Sequence, residues 1–440
     1  MRDYPKIIIP PPGPKAKAIV EKDAKYSSTS YIKEYPLAVA RGAGVMVEDV
    51  DGNRFLDFMA GIAVSSTGYG HPRVVAAVKA AADNFLHICG SDFYYAGMAD
   101  LCEALATVAP GPSKKRVFLS NSGTEAVDGA IKLARNSTRR AGLIAFKGAF
   151  HGRSYGGMSL TSRSVKQRAG FGPMIPEVHH LPYGYEYRCD YRRECTCDLT
   201  CVSAIEDEFF QRHASPKDIA AVFVEPIQGE GGYVVPPPGY LKALRELCDR
   251  HGILLVFDEI QSGIGRTGKM FACEWEGVEP DILLTAKGLG SGLPIGAIIA
   301  RESIMKWESG AHGSTFGGNP VCCAAALVTL DLVRNGLMQN ALEMGERLMA
   351  GVKKLQEKHK RIGDVRGRGL MIGVELVKDR KTREPDAEAI KPLEEMAFKR
   401  GLLILGAGKN SLRLAPPLVI DAEDIDTGLR ILDECLTALP

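Results

Sequence analysis

The chain has 440 residues, 45% of them hydrophobic and 25% charged, which is typical of a globular protein and excludes a disordered or fibrous chain. Lys and Arg number 55 against 53 Asp and Glu, so the net charge of +2 gives no electrostatic reason to expect nucleic acid or an anionic membrane as a partner. The length predicts roughly two or three packed units.

The N-terminal part of the chain combines an irregular stretch with a hairpin pattern. About the first 40 residues are rich in proline and lysine with weak periodicity, which predicts an extended arm. Residues 45–58 alternate apolar and polar side chains around Asp51, Gly52 and Asn53, as is typical of a β-hairpin. Residues 1–65 are therefore predicted to form an N-terminal arm and hairpin segment.

From about residue 70, helical stretches alternate with short apolar runs. This alternation predicts an α/β domain over residues 66–335, whose mostly parallel sheet is covered by helices on both faces. The first helices are predicted at residues 72–82 and 99–108, and the strands at residues 116–119, 143–146, 219–224, 253–257, 282–285 and 295–300.

The C-terminal part has a different pattern. Predicted helices at residues 339–359 and 387–400 bracket strands at 370–376 and 412–414. This arrangement indicates a smaller α+β domain over residues 336–440.

A strand end meets a helix start at residues 120–124. Small residues at a helix N-terminus leave backbone N–H groups free and aimed at one point, which suits a phosphate. Ser122, Gly123 and Thr124 are the candidate donors. Taken alone, the segment favours the simpler interpretation of a helix cap by Ser122 or Thr124.

The glycines of residues 263–268 match the fingerprint of dinucleotide-binding folds. The third glycine of that fingerprint should begin a helix, but the next predicted strand starts at Ile282 and leaves no room for one. We therefore reject a dinucleotide site.

Two charged side chains follow neighbouring predicted strands. Asp258 ends one strand, and Lys287 follows the next in glycine-rich, apolar surroundings. Burial lowers the proton affinity of a lysine and frees its lone pair, so Lys287 is a candidate amine nucleophile. A phosphate site, a strand-end carboxylate and a lysine are what pyridoxal phosphate requires. The alternative is a structural ion pair between Asp258 and Lys287.

Nine motifs follow one another in order: DFMAGIAVSSTGYGHP at 57–72, SNSGTEA at 120–126, GAFHGRS at 148–154, VEPIQGEGG at 224–232, FDEIQSGIGRTGK at 257–269, AKGLGSGLP at 286–294, HGSTFGGNP at 312–320, GDVRGRGLMIGVEL at 363–376 and RLAPPLVI at 413–420. With them the chain resembles the class III (ω-amino) aminotransferases, and most closely their 4-aminobutyrate and ornithine aminotransferase branch. The resemblance implies an α/β, fold type I enzyme that uses pyridoxal 5'-phosphate: a large domain with a mostly parallel sheet sandwiched by helices, plus a small α+β C-terminal domain.

Carried over by position, the resemblance implies a set of cofactor residues. Lys287 would bind the cofactor as a Schiff base and carry a proton between Cα and C4′, and Asp258 would pair with the pyridine nitrogen. Gln261 would bond O3′, and Phe150 would stack on the ring. The remaining implied contacts are His151 and Glu225 beside the cofactor, with Ser122, Gly123, Thr124 and the neighbouring subunit's Thr315 at the phosphate.

The resemblance also implies the substrates, a small amino donor and a 2-oxo acid. Arg153 and Arg413 would bind carboxylates, and Glu230 would pair with Arg413 in one half-reaction and release it in the other. Ile62 matches the 4-aminobutyrate pattern, where ornithine aminotransferases tend to have tyrosine. The implied reaction moves the ω-amino group of 4-aminobutyrate to 2-oxoglutarate by a ping-pong mechanism in a homodimer or higher oligomer.

Two other activities share these cofactor motifs. The N-terminal sequence resembles a prokaryotic subgroup that contains ornithine or lysine ω-aminotransferases and amino-acid racemases. The racemase-like members depart from the family at the arginine of GAFHGR and in STFGGNP, and this chain keeps both. We therefore expect transamination.

The 11 cysteines are odd in number and mostly lie in apolar segments, which indicates reduced thiols and a cytoplasmic location. Cys189, Cys195, Cys197 and Cys201 are close enough in sequence to bind zinc, but their spacing is not the paired C-x2-C, and free thiols or a local disulfide are favoured. The longest apolar stretch, at residues 321–330, is too short to span a membrane.

Overall fold

The structure, a computed structural model, describes residues 5–191 and 197–439. Its N-terminal segment contains a helix, Pro14–Tyr26, whose first turn tolerates proline and whose Lys, Ala and Glu residues favour helix formation. The carboxylate of Asp51 caps this helix by accepting the N–H groups of Lys15 (3.0 Å) and Ala16 (2.8 Å). The prediction of an extended arm is therefore wrong at these residues, because the helix formers outweigh the flanking prolines.

The elements of the described residues are as follows. The strands are β1 (Val39–Ala43), β2 (Met46–Asp49), β3 (Arg54–Asp57), β4 (Lys115–Ser120), β5 (Gly142–Phe146), β6 (Val178–Leu181), β7 (Ile219–Val224), β8 (Leu254–Asp258), β9 (Ile282–Thr285), β10 (Gly296–Arg301), β11 (Ile362–Arg368), β12 (Met371–Asp379), β13 (Glu384–Pro385), β14 (Leu402–Leu403), β15 (Leu405–Ala407) and β16 (Ser411–Leu414). The α-helical segments are α1 (Pro14–Tyr26), α2 (Ala60–Ala63), α3 (Pro72–Asn84), α4 (Ala96–Val108), α5 (Gly123–Thr138), α6 (Tyr155–Leu160), α7 (Thr200–Ala204), α8 (Phe210–Arg212), α9 (Tyr240–His251), α10 (Pro320–Leu332), α11 (Met338–Lys358), α12 (Ile390–Lys399) and α13 (Ala422–Ala438). Shorter 3₁₀ and π-helical turns connect several of them.

The central sheet has seven strands in the order β4-β10-β9-β8-β7-β5-β6. Strand β10 is antiparallel to both of its neighbours, while β9, β8, β7, β5 and β6 pair in parallel. The predicted mostly parallel sheet is confirmed. Because β4, β5, β7, β8 and β9 point the same way, their C-terminal ends meet at one edge, where open α/β sheets bind ligands.

Successive residues of the central strands enter two different hydrophobic cores. Leu143 and Ala145 of β5 belong to the core that also contains Val127 of helix α5, whereas Ile144 and Phe146 belong to the core on the other face. The side chains of a strand alternate between its faces, so a strand covered on both faces must be apolar throughout. This explains the uniformly apolar runs of the sequence.

Two smaller sheets flank the central one. The predicted hairpin is confirmed as β2 and β3, and parallel pairing of β14 with β3 ties it to the C-terminal part of the chain. The C-terminal part forms an antiparallel sheet in the order β11-β12-β16-β15, against which helix α11 packs.

Residues Pro320–Lys358 form a helical run of 39 residues that joins α10 and α11 through a kink at Asn335 and Gly336, with a mean hydropathy of 1.5 in its most apolar 18-residue window. By length and composition this run could cross a membrane. The prediction from sequence considered only the apolar stretch at residues 321–330 and therefore underestimated the length of the helical run. Its first part packs on α3 and α4 in the fold, and 39% of the apolar window is buried. Core helices of soluble proteins have the same length and composition, so the run alone is weak support for a membrane span.

The glycine fingerprint at residues 263–268 lies in a series of turns. A short 3₁₀ turn, Ala272–Trp275, follows it, and β9 begins soon after. As predicted, the helix of a dinucleotide site does not follow these glycines in this part of the described chain.

Candidate active site

A cavity of about 470 Å³ opens at the C-terminal edge of the central sheet. Asp258 ends β8, Glu225 follows β7, and Lys287 follows β9. The loop after β5 adds Phe150 and His151. Eleven of the fourteen predicted site residues line the cavity: Ser122, Gly123, Thr124, Phe150, His151, Arg153, Glu225, Glu230, Asp258, Gln261 and Lys287.

One end of the cavity is formed by the start of helix α5. The hydroxyl of Ser122 accepts the N–H of Glu125 at 3.3 Å, so the predicted cap exists. The N–H groups of Ser122, Gly123 and Thr124 nevertheless have no acceptor within the described chain. Three free donors at a helix N-terminus suit an anion, so the cap does not exclude the phosphate interpretation.

The side chain of Thr124 already has a partner. Its Oγ1 lies 2.6 Å from Oγ of Ser154 and accepts the N–H of Ser154 at 3.1 Å. These bonds tie the start of α5 to the loop that carries Phe150 and His151. The backbone N–H of Thr124 is therefore the group that remains free to bind an anion at this helix start.

Asp258 and His151 form a buried pair beneath the cavity. Nδ1 of His151 lies 2.7 Å from Oδ2 of Asp258, and the two side chains are 0% and 4% exposed. Burial opposes a charged imidazole, but the hydrogen bond and the charge of Asp258 raise the pKa of His151. The described residues contain no ion pair between Asp258 and Lys287, which was the alternative reading of these two residues.

Glu225 links the two loops on either side of the cavity. One carboxylate oxygen accepts the N–H of Phe150 at 2.7 Å, and the other accepts that of Gly229 at 2.6 Å. Burial raises the pKa of Glu225 to about 7. The neighbouring Gln261 has a buried Oε1 without a partner in the described chain, and a Cβ on Gly229 would lie 2.6 Å from its Nε2. Glycine at 229 thus makes room for Gln261 beside the cavity.

Lys287 is held in an unusual backbone conformation. Its φ is +36°, outside the regions that most non-glycine residues adopt, and such outliers concentrate at functional sites. Burial of the ammonium group lowers the pKa of Lys287, with Glu230 opposing the shift. A lysine whose pKa is lowered this way is a better nucleophile and proton carrier at neutral pH.

The predicted substrate arginines differ in their pairing. Arg413 is 7% exposed and forms an ion pair with Glu230. Arg153 is exposed at the cavity mouth, with its guanidinium 5.7 Å from the centre of the Phe150 ring, and it has no ion pair among the described residues. The site therefore presents one arginine that is occupied by a carboxylate and one that is open to a ligand.

Three predicted site residues do not line this cavity: Arg413, whose ion pair with Glu230 is described above, and the surface residues Thr315 and Ile62. Thr315 is exposed next to Phe316, which is 59% exposed. Ile62 is 37% exposed and lies in α2, a single turn in which all four residues have positive φ. Both lie on the surface of the single chain.

The cavity wall also contains residues that the sequence analysis did not single out. Asn121, Ile260 and Pro294 are examples. All three lie inside motifs that carried the resemblance, so the motifs marked the wall without distinguishing these side chains. The missing signal is geometric, because adjacent residues of a loop share a motif but only some of them face the ligand.

The cysteine cluster is partly described. Cys195 lies outside the described residues, and Cys189, Cys197 and Cys201 are free thiols. Burial, with the nearby Cys197 and Cys189, raises the pKa of Cys201 to about 12. Within the described residues, no group of three His, Cys, Asp or Glu side chains could hold a metal ion.

The donors around the cavity fit pyridoxal 5'-phosphate. The three free N–H groups at the start of α5 suit its phosphate, and the carboxylate of Asp258 suits a protonated pyridine nitrogen. The unpartnered Oε1 of Gln261 and the ammonium group of Lys287 face the same cavity. Ring nitrogen, phosphate, hydroxyl and aldehyde thus each find a suitable group.

The chain is similar to proteins of known family. The Aminotransferase class-III model matches residues 27–436. A 4-aminobutyrate aminotransferase of Mycobacterium leprae is 43% identical over 91% of this chain and 91% of its own, and an alanine/serine racemase of Pyrococcus horikoshii is 41% identical over 99% of this chain and 93% of its own. The PLP-bound crystal structure of an amine transaminase from an uncultivated Pseudomonas species superposes with a TM-score of 0.87 and 31% identity, covering 94% of this chain and 98% of that one.

Proposed function

The chain belongs to the class III aminotransferases, a family that depends on pyridoxal 5'-phosphate, and we propose that it moves the ω-amino group of 4-aminobutyrate to 2-oxoglutarate. The products are the semialdehyde and glutamate, formed in two half-reactions at one site. The observation that carries the proposal is the pair of arginines, of which Arg413 is closed by Glu230 and Arg153 is open.

The two arginines accommodate substrates with one or two carboxylates. In the first half-reaction, Arg153 binds the carboxylate of the amino donor while Glu230 neutralises Arg413. In the second, Arg153 binds the distal carboxylate of 2-oxoglutarate, and Arg413 leaves Glu230 to bind the other one, since a guanidinium fork binds a carboxylate with two hydrogen bonds.

Each cofactor residue has a proposed task. The N–H groups of Ser122, Gly123 and Thr124 hold the phosphate, and Phe150 supports the ring. Asp258, fixed by His151, holds the proton on the ring nitrogen, and Gln261 bonds the ring hydroxyl. Bound in this way, the cofactor supplies an electron sink that allows a proton to leave the carbon bearing the amino group. Lys287 would take that proton and deliver it to C4′ of the cofactor.

The proposal includes a homodimer in which Thr315 reaches the phosphate site of the other subunit. Large apolar side chains are exposed around this residue, and Asn319 bonds the backbone of the same region at Leu86 O (2.8 Å). Burial of such a patch favours association. The exposed members are Phe85, Leu86, Phe93, Tyr94 and Phe316.

Two further assignments belong to the proposal. A cytoplasmic location is supported by the ten free cysteines of the described residues. The division into an N-terminal segment (residues 1–65), a large cofactor domain (66–335) and a small C-terminal domain (336–440) is supported by the separate central and C-terminal sheets.

The test is glutamate formation from 2-oxoglutarate with a panel of amino donors: 4-aminobutyrate, 5-aminovalerate, ornithine and lysine. We expect 4-aminobutyrate to give the highest kcat/KM. Arg153→Ala should raise the KM for 4-aminobutyrate by about 10-fold to 100-fold, because a charge-assisted bond to the carboxylate is lost. Arg116→Ala is the matched control, since Arg116 pairs with Glu302 on the surface. Absence of glutamate with every donor overturns the proposal.

A second candidate function is amino-acid racemisation. It is favoured by the 41% identity to the alanine/serine racemase over nearly the whole chain. Incubation of the holoenzyme with L-alanine or L-serine, without a 2-oxo acid, distinguishes the two. Appearance of the D-enantiomer together with no glutamate formation would replace the aminotransferase proposal by the racemase.

A further inference from the structure

A second polar network lies directly behind the Glu230–Arg413 pair. Its centre is Arg366, which belongs to the motif at residues 363–376 and has no part in the proposed function. The Arg366 side chain is only 9% exposed. A buried guanidinium must satisfy five N–H groups, and in this structure all five have an acceptor.

Three of the acceptors belong to the surroundings of the pair. Nη2 of Arg366 donates to the carbonyl of Gly232 at 2.7 Å, and Nε donates to that of Tyr233 at 3.2 Å. Both carbonyls lie in the loop that carries Glu230. The same Nη2 donates to Oγ of Ser411 at 3.0 Å, on the strand that carries Arg413 two residues later. One guanidinium therefore ties the Glu230 loop to the Arg413 strand.

The other two acceptors hold Arg366 itself in place. Nη1 donates to Asp364 at 2.8 Å and to Glu375 at 2.7 Å. Glu375 is 1% exposed and is also bonded by Tyr185 and Arg188. The guanidinium of Arg366 is thus held rigidly, and so are the Glu230 loop and the Arg413 strand that it bonds.

The Glu230 loop has other attachments, among them two turn bonds to the carbonyl of Gly229 and the Nε of Arg163, which donates to the carbonyl of Glu230 at 3.4 Å. The N–H of Gly229 is held by Glu225, and the carbonyl of Glu230 accepts the N–H of Gly408 at 2.7 Å. Beyond Glu230 the loop passes through Gly231 and Gly232, which lack side chains to pack. Tyr233 packs its side chain into the core, but without Arg366 the carbonyls of Gly232 and Tyr233 would lose the side chain that ties them to the Arg413 strand.

We propose that Arg366 is a positioning residue that sets the separation of Glu230 and Arg413, and thereby the affinity of the site for the second carboxylate of a dicarboxylate. The inference rests on the proposed function, because it assumes that Arg413 binds that carboxylate. Lysine at 366 would keep the charge but offer three donors in place of five, so it could not hold the loop and the strand at once.

The test is calorimetric binding of two unreactive ligands to the holoenzyme: glutarate, which has two carboxylates, and valerate, which has one. We expect Arg366→Lys to weaken glutarate binding by about fivefold or more, since small misplacements of a binding group are costly. Valerate, which needs Arg153 alone, should change by less than about twofold. Arg368→Lys is the control from the same strand, because Arg368 stacks on Trp275 at 4.8 Å.

Each outcome decides between the explanations. Unchanged or tighter glutarate binding, or an equal loss for both ligands, overturns the positioning role. If wild type binds valerate but not glutarate, Arg413 is not a carboxylate site, and the proposed function fails together with this inference. If Arg366→Lys does not fold, Ser411→Ala removes a single bond to Arg366, and a selective loss of glutarate affinity in that variant supports the role while no selective loss overturns it.

Discussion

Nδ1 of His151 lies 2.7 Å from Oδ2 of Asp258, and this contact is sealed from solvent. The other carboxylate oxygen of Asp258 accepts the N–H of Ile260 at 3.0 Å, so the side chain is fixed at both ends. A buried carboxylate needs a cation or hydrogen-bond donors nearby. Protonated His151 provides the cation. His151 thus orients the group that is proposed to face the ring nitrogen.

The pairing predicts a pH-dependent contribution of His151 to stability. The folded protein raises the pKa of His151, so protonated His151 stabilises the fold at pH values below about 6.5, and the contribution is lost as the pH rises through the raised value. We expect His151→Gln to lower the free energy of unfolding of the cofactor-free protein more at about pH 6 than at about pH 9, because only the lower pH keeps the histidine protonated in the folded protein. Urea unfolding at several pH values measures this.

The control for this experiment is the exposed His213, whose replacement by Gln should have little effect at any pH. A destabilisation by His151→Gln that stays constant across the pH range would contradict the prediction. It would mean that the histidine contributes packing rather than charge.

Lys287 is expected to be indispensable. Lys287→Ala should lower transamination by at least about 10³-fold, because it removes both the covalent attachment and the proton carrier. The visible absorption of the bound cofactor should shift, and the cofactor should be lost on dialysis. Lys269→Ala removes a lysine that is exposed and lies 5.5 Å from the Trp275 ring, so it should keep both activity and spectrum.

Parts of this structure were predictable because they depend on local patterns. The apolar strands at the sheet centre and the hairpin at Asp51 follow from periodicity and turn chemistry. The helix Pro14–Tyr26 was missed for two reasons. The flanking prolines outweighed its good helix formers in the sequence pattern, and the residue that caps it, Asp51, is far away in sequence. The antiparallel direction of β10 leaves no trace in its apolar sequence.

The candidate site shows the same limit. Asp258 and Lys287 were visible as charges at the ends of apolar strands, which is a rare arrangement. The positive φ of Lys287 has no counterpart in the sequence pattern, and three of the five bonds of Arg366 go to Gly232, Tyr233 and Ser411, which are distant in sequence. Motif order predicted which segments meet, but not which hydrogen bonds hold them.

The cysteine cluster is expected to carry no metal. A zinc site with thiolate ligands binds its metal tightly and would keep it through purification. The purified protein should therefore contain less than about one tenth of a zinc ion per chain by atomic emission. Cys201 should react slowly with a thiol reagent at neutral pH, since its pKa is raised to about 12. One zinc ion per chain that is released when the thiol reagent modifies Cys189 and Cys197 would establish a metal site instead.

The ion pair of Glu230 with Arg413 predicts opposite effects on the two substrates. Glu230→Gln leaves Arg413 uncompensated when a monocarboxylate donor is bound, so the KM for 4-aminobutyrate should rise at least about tenfold, or 1.4 kcal/mol. The KM for 2-oxoglutarate should stay constant or fall, because no carboxylate must be displaced before Arg413 binds the substrate. Arg413→Lys should show the reverse pattern, since lysine cannot form the bidentate pair. Steady-state kinetics with each substrate varied in turn separates the two, and a parallel rise of both KM values in Glu230→Gln would show that the pair supports the fold rather than substrate choice.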